Sequence, residues 1–191
     1  QRYGQSQQLP AVTGGQIHNA PPPNPFYAGG PAVALCFAHI GAWRGSNYMK
    51  IVVIDGQGGR LGKLLVEGVK ARLPKAEVWA LGTNSIATAT MLKAGADCGA
   101  TGENPVVRGV MDADAVLGPI GIVVAHAILG EVTPAMAQAV GGCRAKKFLV
   151  PMNSCGVVIA GVQEQPLPGY VAQAVEQLAK VDIGNRGDIY K

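Results

Sequence analysis

The sequence predicts a Rossmann-like, three-layer α/β domain with a mostly parallel sheet, preceded by an irregular N-terminal segment. Three observations carry this. From Met49 onward, short apolar β-branched runs alternate with helix-like segments. A glycine-rich turn joins the first run to the first helical pattern. Residues 1–48 show neither pattern.

The first run, "KIVVID", is apolar throughout, as a strand buried on both faces must be. Leu61 to Leu73 follows with Leu61, Leu64, Leu65, Val69 and Leu73 on one helical face, and Leu73-Pro74 stops it. "EVWALG" reads as a second strand and "SIATATMLKAGA" as a second helix ending at Gly95. "GATGENP" reads as a glycine-rich loop. "DAVLGPI" reads as a strand running into a continuous apolar helix, "GIVVAHAILG". "EVTPAMAQAVGG" gives a short helix capped by Thr133 with Pro134 in its first turn. "KKFLVPM" and "GVVIAGV" are expected as strands and "LPGYVAQAVEQLAK" as the closing helix.

Residues 1–48 contain no Asp, Glu or Lys, are rich in Pro, Gly and Gln, and include "PPPNPF". They hold no methionine before Met49. Arg44-Gly45 is encodable as a purine run placed like a bacterial ribosome-binding site, three codons upstream of Met49. The expectation is a disordered or non-native extension, translated from upstream DNA, with the α/β domain spanning 49–191. Peptide mapping of the native protein checks it.

Composition narrows the function. A 191-residue chain with 48% hydrophobic and 15% charged residues describes a globular domain. Its net charge of +4 is mild and its basic residues are scattered, which argues against nucleic acid as a partner. The longest apolar run near the N-terminus is too short to span a bilayer, so no membrane partner is expected. The four cysteines lack metal-ligand spacing, and no metal is expected. With no recognisable secretory leader, free thiols in the cytoplasm are the expectation.

In open parallel sheets, ligands sit beyond the carboxyl ends of strands. The groups placed there are Asp55-Gly56-Gln57-Gly58-Gly59, Gly82-Thr83-Asn84-Ser85, Gly118-Pro119-Ile120-Gly121 and Pro151-Met152-Asn153-Ser154-Cys155. The strings "MKIVVIDGQGGRLGKLLVEGVK", "GTNSIATATMLKAGADCGATGENP", "GPIGIVVAHAILGEVTPAMA" and "AKKFLVPMNSCGVVIAGV" together resemble a family of small bacterial proteins, domain of unknown function 3842, over about residues 49–163. The resemblance implies a compact bacterial α/β protein and carries no activity with it. Its pattern has glycine where this chain has Arg60, so one small residue of the turn is lost.

The turn places Gly56, Gly58 and Gly62 as G-x-G-x-x-x-G with an extra Gly59, a variant of the dinucleotide spacing in the right strand–turn–helix context. Gln57 lies between the first two. Asp55 would repel a phosphate unless it caps backbone N–H groups, pairs with a cation or binds a ribose hydroxyl. Thr83, Asn84 and Ser85 stand where an acidic residue would bind the ribose hydroxyls of NAD. Hydroxyls and an amide there suit a 2′-phosphate, so NADP is favoured over NAD, although the same residues also cap a helix. Gly118 and Asn153 complete the expected binding set.

For chemistry, Glu103 and Asp55 are the acid–base candidates. His126 reads as a hydrogen-bonded core residue, Glu131 as part of a helix cap, and Cys155 as a thiol whose only core histidine is His126. The leading expectation is a small cytoplasmic nucleotide- or dinucleotide-binding protein, whose minimal domain leaves little room for a separate substrate domain and so favours binding over turnover; as an enzyme it would be an NADP-linked oxidoreductase completing its site as a homo-oligomer. The alternatives are an enzyme on a small phosphorylated or carboxylated metabolite, and an oligomeric interaction module without ligand.

Overall fold

The computed structural model describes residues 49–152 and 157–181. Residues 1–48, and with them the expected boundary at Met49, lie outside this range, as do Asn153, Ser154 and Cys155.

Five strands form one sheet in the order β3-β2-β1-β4-β5, and every neighbouring pair is parallel. They are β1 (Lys50–Asp55), β2 (Glu77–Gly82), β3 (Cys98–Thr101), β4 (Ala115–Pro119) and β5 (Lys146–Val150). Among the described residues, five α-helices connect or follow them: α1 (Arg60–Arg72), α2 (Ser85–Lys93), α3 (Glu103–Gly109), α4 (Pro134–Gly142) and α5 (Leu167–Lys180). The chain is a Rossmann-like α/β domain.

Period-two alternation divides β1 between two cores. Ile51 and Val53 pack with Leu61, Leu65 and Val69 of α1, Met91 of α2 and Val171, Val175 and Leu178 of α5. Val52 and Ile54 face the other way, against Val106 of α3 and Met136 and Val140 of α4. Helices therefore cover both faces, which explains why β1 reads as a continuous apolar run. Strand order reverses between β1 and β4, and all strands point the same way, so the β1 and β4 ends open a switch-point crevice on one edge.

Three sequence expectations are corrected. The apolar stretch after β4 is one turn of 3₁₀ helix, Ile120–Val123, followed by a loop rather than a continuing helix. His126, Ile128, Leu129 and Gly130 all have positive φ, between 55° and 87°, which a helix cannot contain. The stretch is apolar because Ile122 and Val132 are buried against the sheet. His126 is consequently exposed and is not a core residue. Residues 157–162, expected as part of a strand, carry none, and Val158 is 93% exposed. Finally, "GATGENP" is not a loop: it closes β3 and opens α3, with Gly102 between them at φ 103°. Among the described residues, no helix is long and apolar enough to cross a membrane.

Candidate functional site

β1 ends at Asp55, and the chain turns through Gly56–Gly59 into α1. The turn is closed by Gly59 N–H donating to the Gly56 carbonyl at 2.9 Å. Gly59 occupies the N-cap position of α1 with φ 70°, and no side chain of its own can cap the helix. Asp55 replaces that cap. Its Oδ2 accepts from Gly62 N at 2.6 Å and its Oδ1 from Gly56 N at 2.8 Å. Burial raises the Asp55 pKa; the N–H bonds from Gly62 and Gly56 pull the other way, and the charge of Glu131 adds to the rise. The turn-holding role open to Asp55 in the sequence is the one its geometry fulfils.

Packing accounts for three of the four glycines. A Cβ at Gly56 would lie 2.6 Å from Glu131 Oε2 and 2.7 Å from Thr83 Oγ1. At Gly59 it would lie 2.8 Å from the Ala87 Cα, and at Gly62 2.8 Å from the Asp55 Cβ. Gly58 differs. Nothing lies within 4 Å of its Cβ position, and its φ is not positive.

The residue missed by sequence reasoning is Glu131. It sits at the end of the loop after β4, yet its Oε2 accepts from Gln57 N at 3.0 Å, from Asn84 Nδ2 at 2.9 Å and from the Thr83 hydroxyl. One carboxylate thereby ties the glycine turn to the end of β2. Partial burial opposes its ionisation, but the hydrogen bonds from Thr83, Gln57 and Asn84 outweigh that and hold its pKa below the ordinary 4.5. For a carboxylate depressed in this way, the stabilising contribution is fully present above 4.5 and is lost as pH falls through the folded value. Glu131→Gln is therefore expected to remove part of the acid-side fall in stability, read by urea denaturation between about pH 3 and 6. Profiles that coincide for both proteins would contradict this.

Asn84 is both cap and clamp: its Oδ1 accepts from Ala87 N at 2.9 Å, and its Nδ2 also donates to the Gln57 carbonyl at 3.0 Å. Ser85, the first residue of α2, is exposed. Gly118 lies within β4, where a Cβ would meet the Ile54 carbonyl oxygen and sit 2.9 Å from Ile122 Cδ1, so its smallness serves the strand contact. Glu103 stands exposed on the first residue of α3 and does not line the crevice. Asn153 falls outside the described residues.

The crevice has a volume of about 250 Å³ and is lined by the Asp55–Leu61 turn with Pro119, Gly121, Ile128, Met152 and Leu167. It thus joins the ends of β1 and β4 at the switch point. A larger hollow, about 380 Å³, lies beside β5 and α5 and is bordered by Gln163, Gln165 and Gln173, away from the glycine turn. Among the described residues, no group of three or more His, Cys, Asp or Glu is placed to hold a metal ion.

The family model described as "Domain of unknown function (DUF3842)" matches residues 50–182, and the chain belongs to that family. No curated protein and no solved structure matches it. The topology is consistent with a nucleotide-binding fold in general, while a fold of this kind assigns no particular ligand.

Proposed function

We propose that this member of the DUF3842 family binds a nucleotide at the switch-point crevice, with a phosphate group over the Gln57–Arg60 turn. The observation that carries the reading is Gly58. Packing demands glycine at 56, 59 and 62, but not at 58, where the backbone lies bare on the crevice wall. Close approach of a ligand to the backbone is the remaining use for a glycine there. Among the described residues, the N–H groups of Gly58 and Arg60 donate to no protein acceptor, in contrast to those of Gly56, Gln57, Gly59 and Gly62. With the exposed Arg60 side chain and the α1 dipole, they form the anion-binding part of the turn.

Gly58→Asp tests this. Its side chain enters open space, so the melting temperature is expected to stay within about 2 °C of the parent. Affinity for ADP or NAD, by calorimetry, is expected to fall at least about tenfold through carboxylate–phosphate repulsion. Unchanged affinity would overturn the reading.

A second reading, a small phosphorylated or carboxylated metabolite, is supported by size, since the crevice falls below the roughly 300–1,000 Å³ usual for larger ligands. A dinucleotide would have to extend along the edge over Gln57 toward Asn84. Within the dinucleotide class, the expectation of NADP depends on Thr83 and Asn84 as donors, and both already donate to Glu131. Binding is favoured over turnover because Asp55 is committed to backbone N–H groups and Glu103 lies off the crevice. A cytoplasmic setting suits Cys143, a free thiol.

A further inference from the structure

We infer that Glu131 supplies, from the loop after β4, the carboxylate that the end of β2 lacks, and thereby selects nucleotides with free ribose hydroxyls over 2′-phosphorylated ones. The inference rests on the nucleotide reading above and goes beyond it by naming the ligand class and the residue that sets it.

In doubly wound folds that bind dinucleotides, an acidic side chain near the end of the second strand takes the ribose hydroxyls. Here β2 ends at Gly82, and the next three residues, Thr83, Asn84 and Ser85, bring no charge. Glu131 brings one, from 47 residues beyond Asn84. It reaches the same corner, bonded to the first two residues after β2 and to the backbone of the glycine turn. All three of those hydrogen bonds fall on Oε2, so Oε1 is left to accept from a hydroxyl.

The carboxylate is held by its own loop. His126 N donates to the Val132 carbonyl at 2.7 Å, Gly130 N to the His126 carbonyl at 3.1 Å, and Glu131 N to the Ile128 carbonyl at 3.2 Å. Buried Val132 anchors the far side. Three non-glycine residues of this loop, His126, Ile128 and Leu129, are kept in the left-handed region, a conformation that persists only where surrounding contacts impose it. A hydroxyl arriving at this corner gains a charge-assisted hydrogen bond. A 2′-phosphate meets a carboxylate instead, with Thr83 and Asn84 already engaged by it. Ile86, two residues after Asn84, and Leu129, two before Glu131, are large apolar side chains left 66% and 92% exposed, which offers apolar surface for a base beside the ribose corner.

Calorimetry on the full chain with NAD, NADP, ADP and 2′-deoxy-ADP tests the inference. NAD is expected to bind at least about tenfold tighter than NADP, and ADP several-fold tighter than its 2′-deoxy analogue. Glu131→Gln is expected to bring NAD and NADP within about threefold of each other, weakening the first and improving the second. The comparison on the unaltered chain stands even if the variant loosens the loop. NADP binding as tightly as NAD to the unaltered chain, or an unchanged ratio in a folded Glu131→Gln, would overturn it. If nucleotides bind without that discrimination and Gly58→Asp abolishes binding, the inference fails and the nucleotide reading stands. If none of the four binds, both fail.

Discussion

Gly59→Ala is expected to destabilise the domain by about 3 kcal/mol, the sum of a left-handed backbone cost of roughly 1–2 and an overpacking cost of roughly 1–3. The φ of 70° at this residue already disfavours a side chain. The added methyl would also sit 2.8 Å from the Ala87 Cα and 2.9 Å from the Ala87 carbonyl oxygen, both backbone atoms that cannot rotate away. The expected loss therefore reports how closely the turn packs on α2. Gly58→Ala, one residue away, is the control and is expected to stay within about 0.5 kcal/mol of the parent. Urea denaturation measures both. Equal losses at 58 and 59 would mean that the turn is not shaped by α2.

Asp55→Ala is expected to cost about 2–4 kcal/mol. It strips the acceptors from Gly56 N, just past the end of β1, and Gly62 N, in the first turn of α1, both in buried residues. An unsatisfied buried donor costs about 1–3 kcal/mol, and a lost helix cap about 0.5–2. Asp55→Asn retains one acceptor and removes a charge that burial disfavours, so it is expected to cost less than half as much. The pH dependence separates Asp55 from Glu131. Because burial raises the Asp55 pKa above 3.8, the proton-linked part of its contribution is fully present below that value and is lost as pH rises through the folded value, while its two N–H acceptors remain at neutral pH. Glu131 acts in the opposite sense. Thermal denaturation of the Ala and Asn variants at neutral pH checks the ranking, and equal costs would show that Asp55 does not hold the turn.

Elements whose own residues carry their pattern were legible in the sequence. β1 is apolar because it is hydrogen-bonded on both sides and covered on both faces, and α5 repeats Val171, Ala174, Val175 and Leu178 on its buried face. β3 was not legible, because an edge strand of four residues, Cys-Gly-Ala-Thr, presents too little apolar surface to read. Nor was α3, whose Pro105 falls in the first turn, where a missing N–H costs nothing. The loop after β4 misled for a physical reason: apolarity there reflects burial of Ile122 and Val132, and helical spacing in sequence says nothing about left-handed backbone.

The candidate site divides in the same way. Asp55, Gly56, Gly59 and Gly62 are local to one strand–turn–helix unit, so their neighbourhood could be read directly. Which glycine packing requires, and which it does not, depends on Ala87, Thr83 and Glu131 approaching from elsewhere in the chain. Glu131 itself reads as a cap residue beside Thr133, and only the tertiary fold brings it 3.0 Å from Gln57 N, 74 residues away in the chain. No local signal could have found it. The long-range signal was the lack of any acidic residue after β2.

The most direct test is the amide spectrum of the isotopically labelled chain during titration with ADP. The proposed function predicts the largest shifts at Gln57, Gly58 and Arg60, with smaller ones at Asn84 and along the Glu131 loop, all saturating together. Saturable shifts confined to the hollow beside β5 and α5, or no saturable shift at millimolar ADP, would contradict binding at the glycine turn.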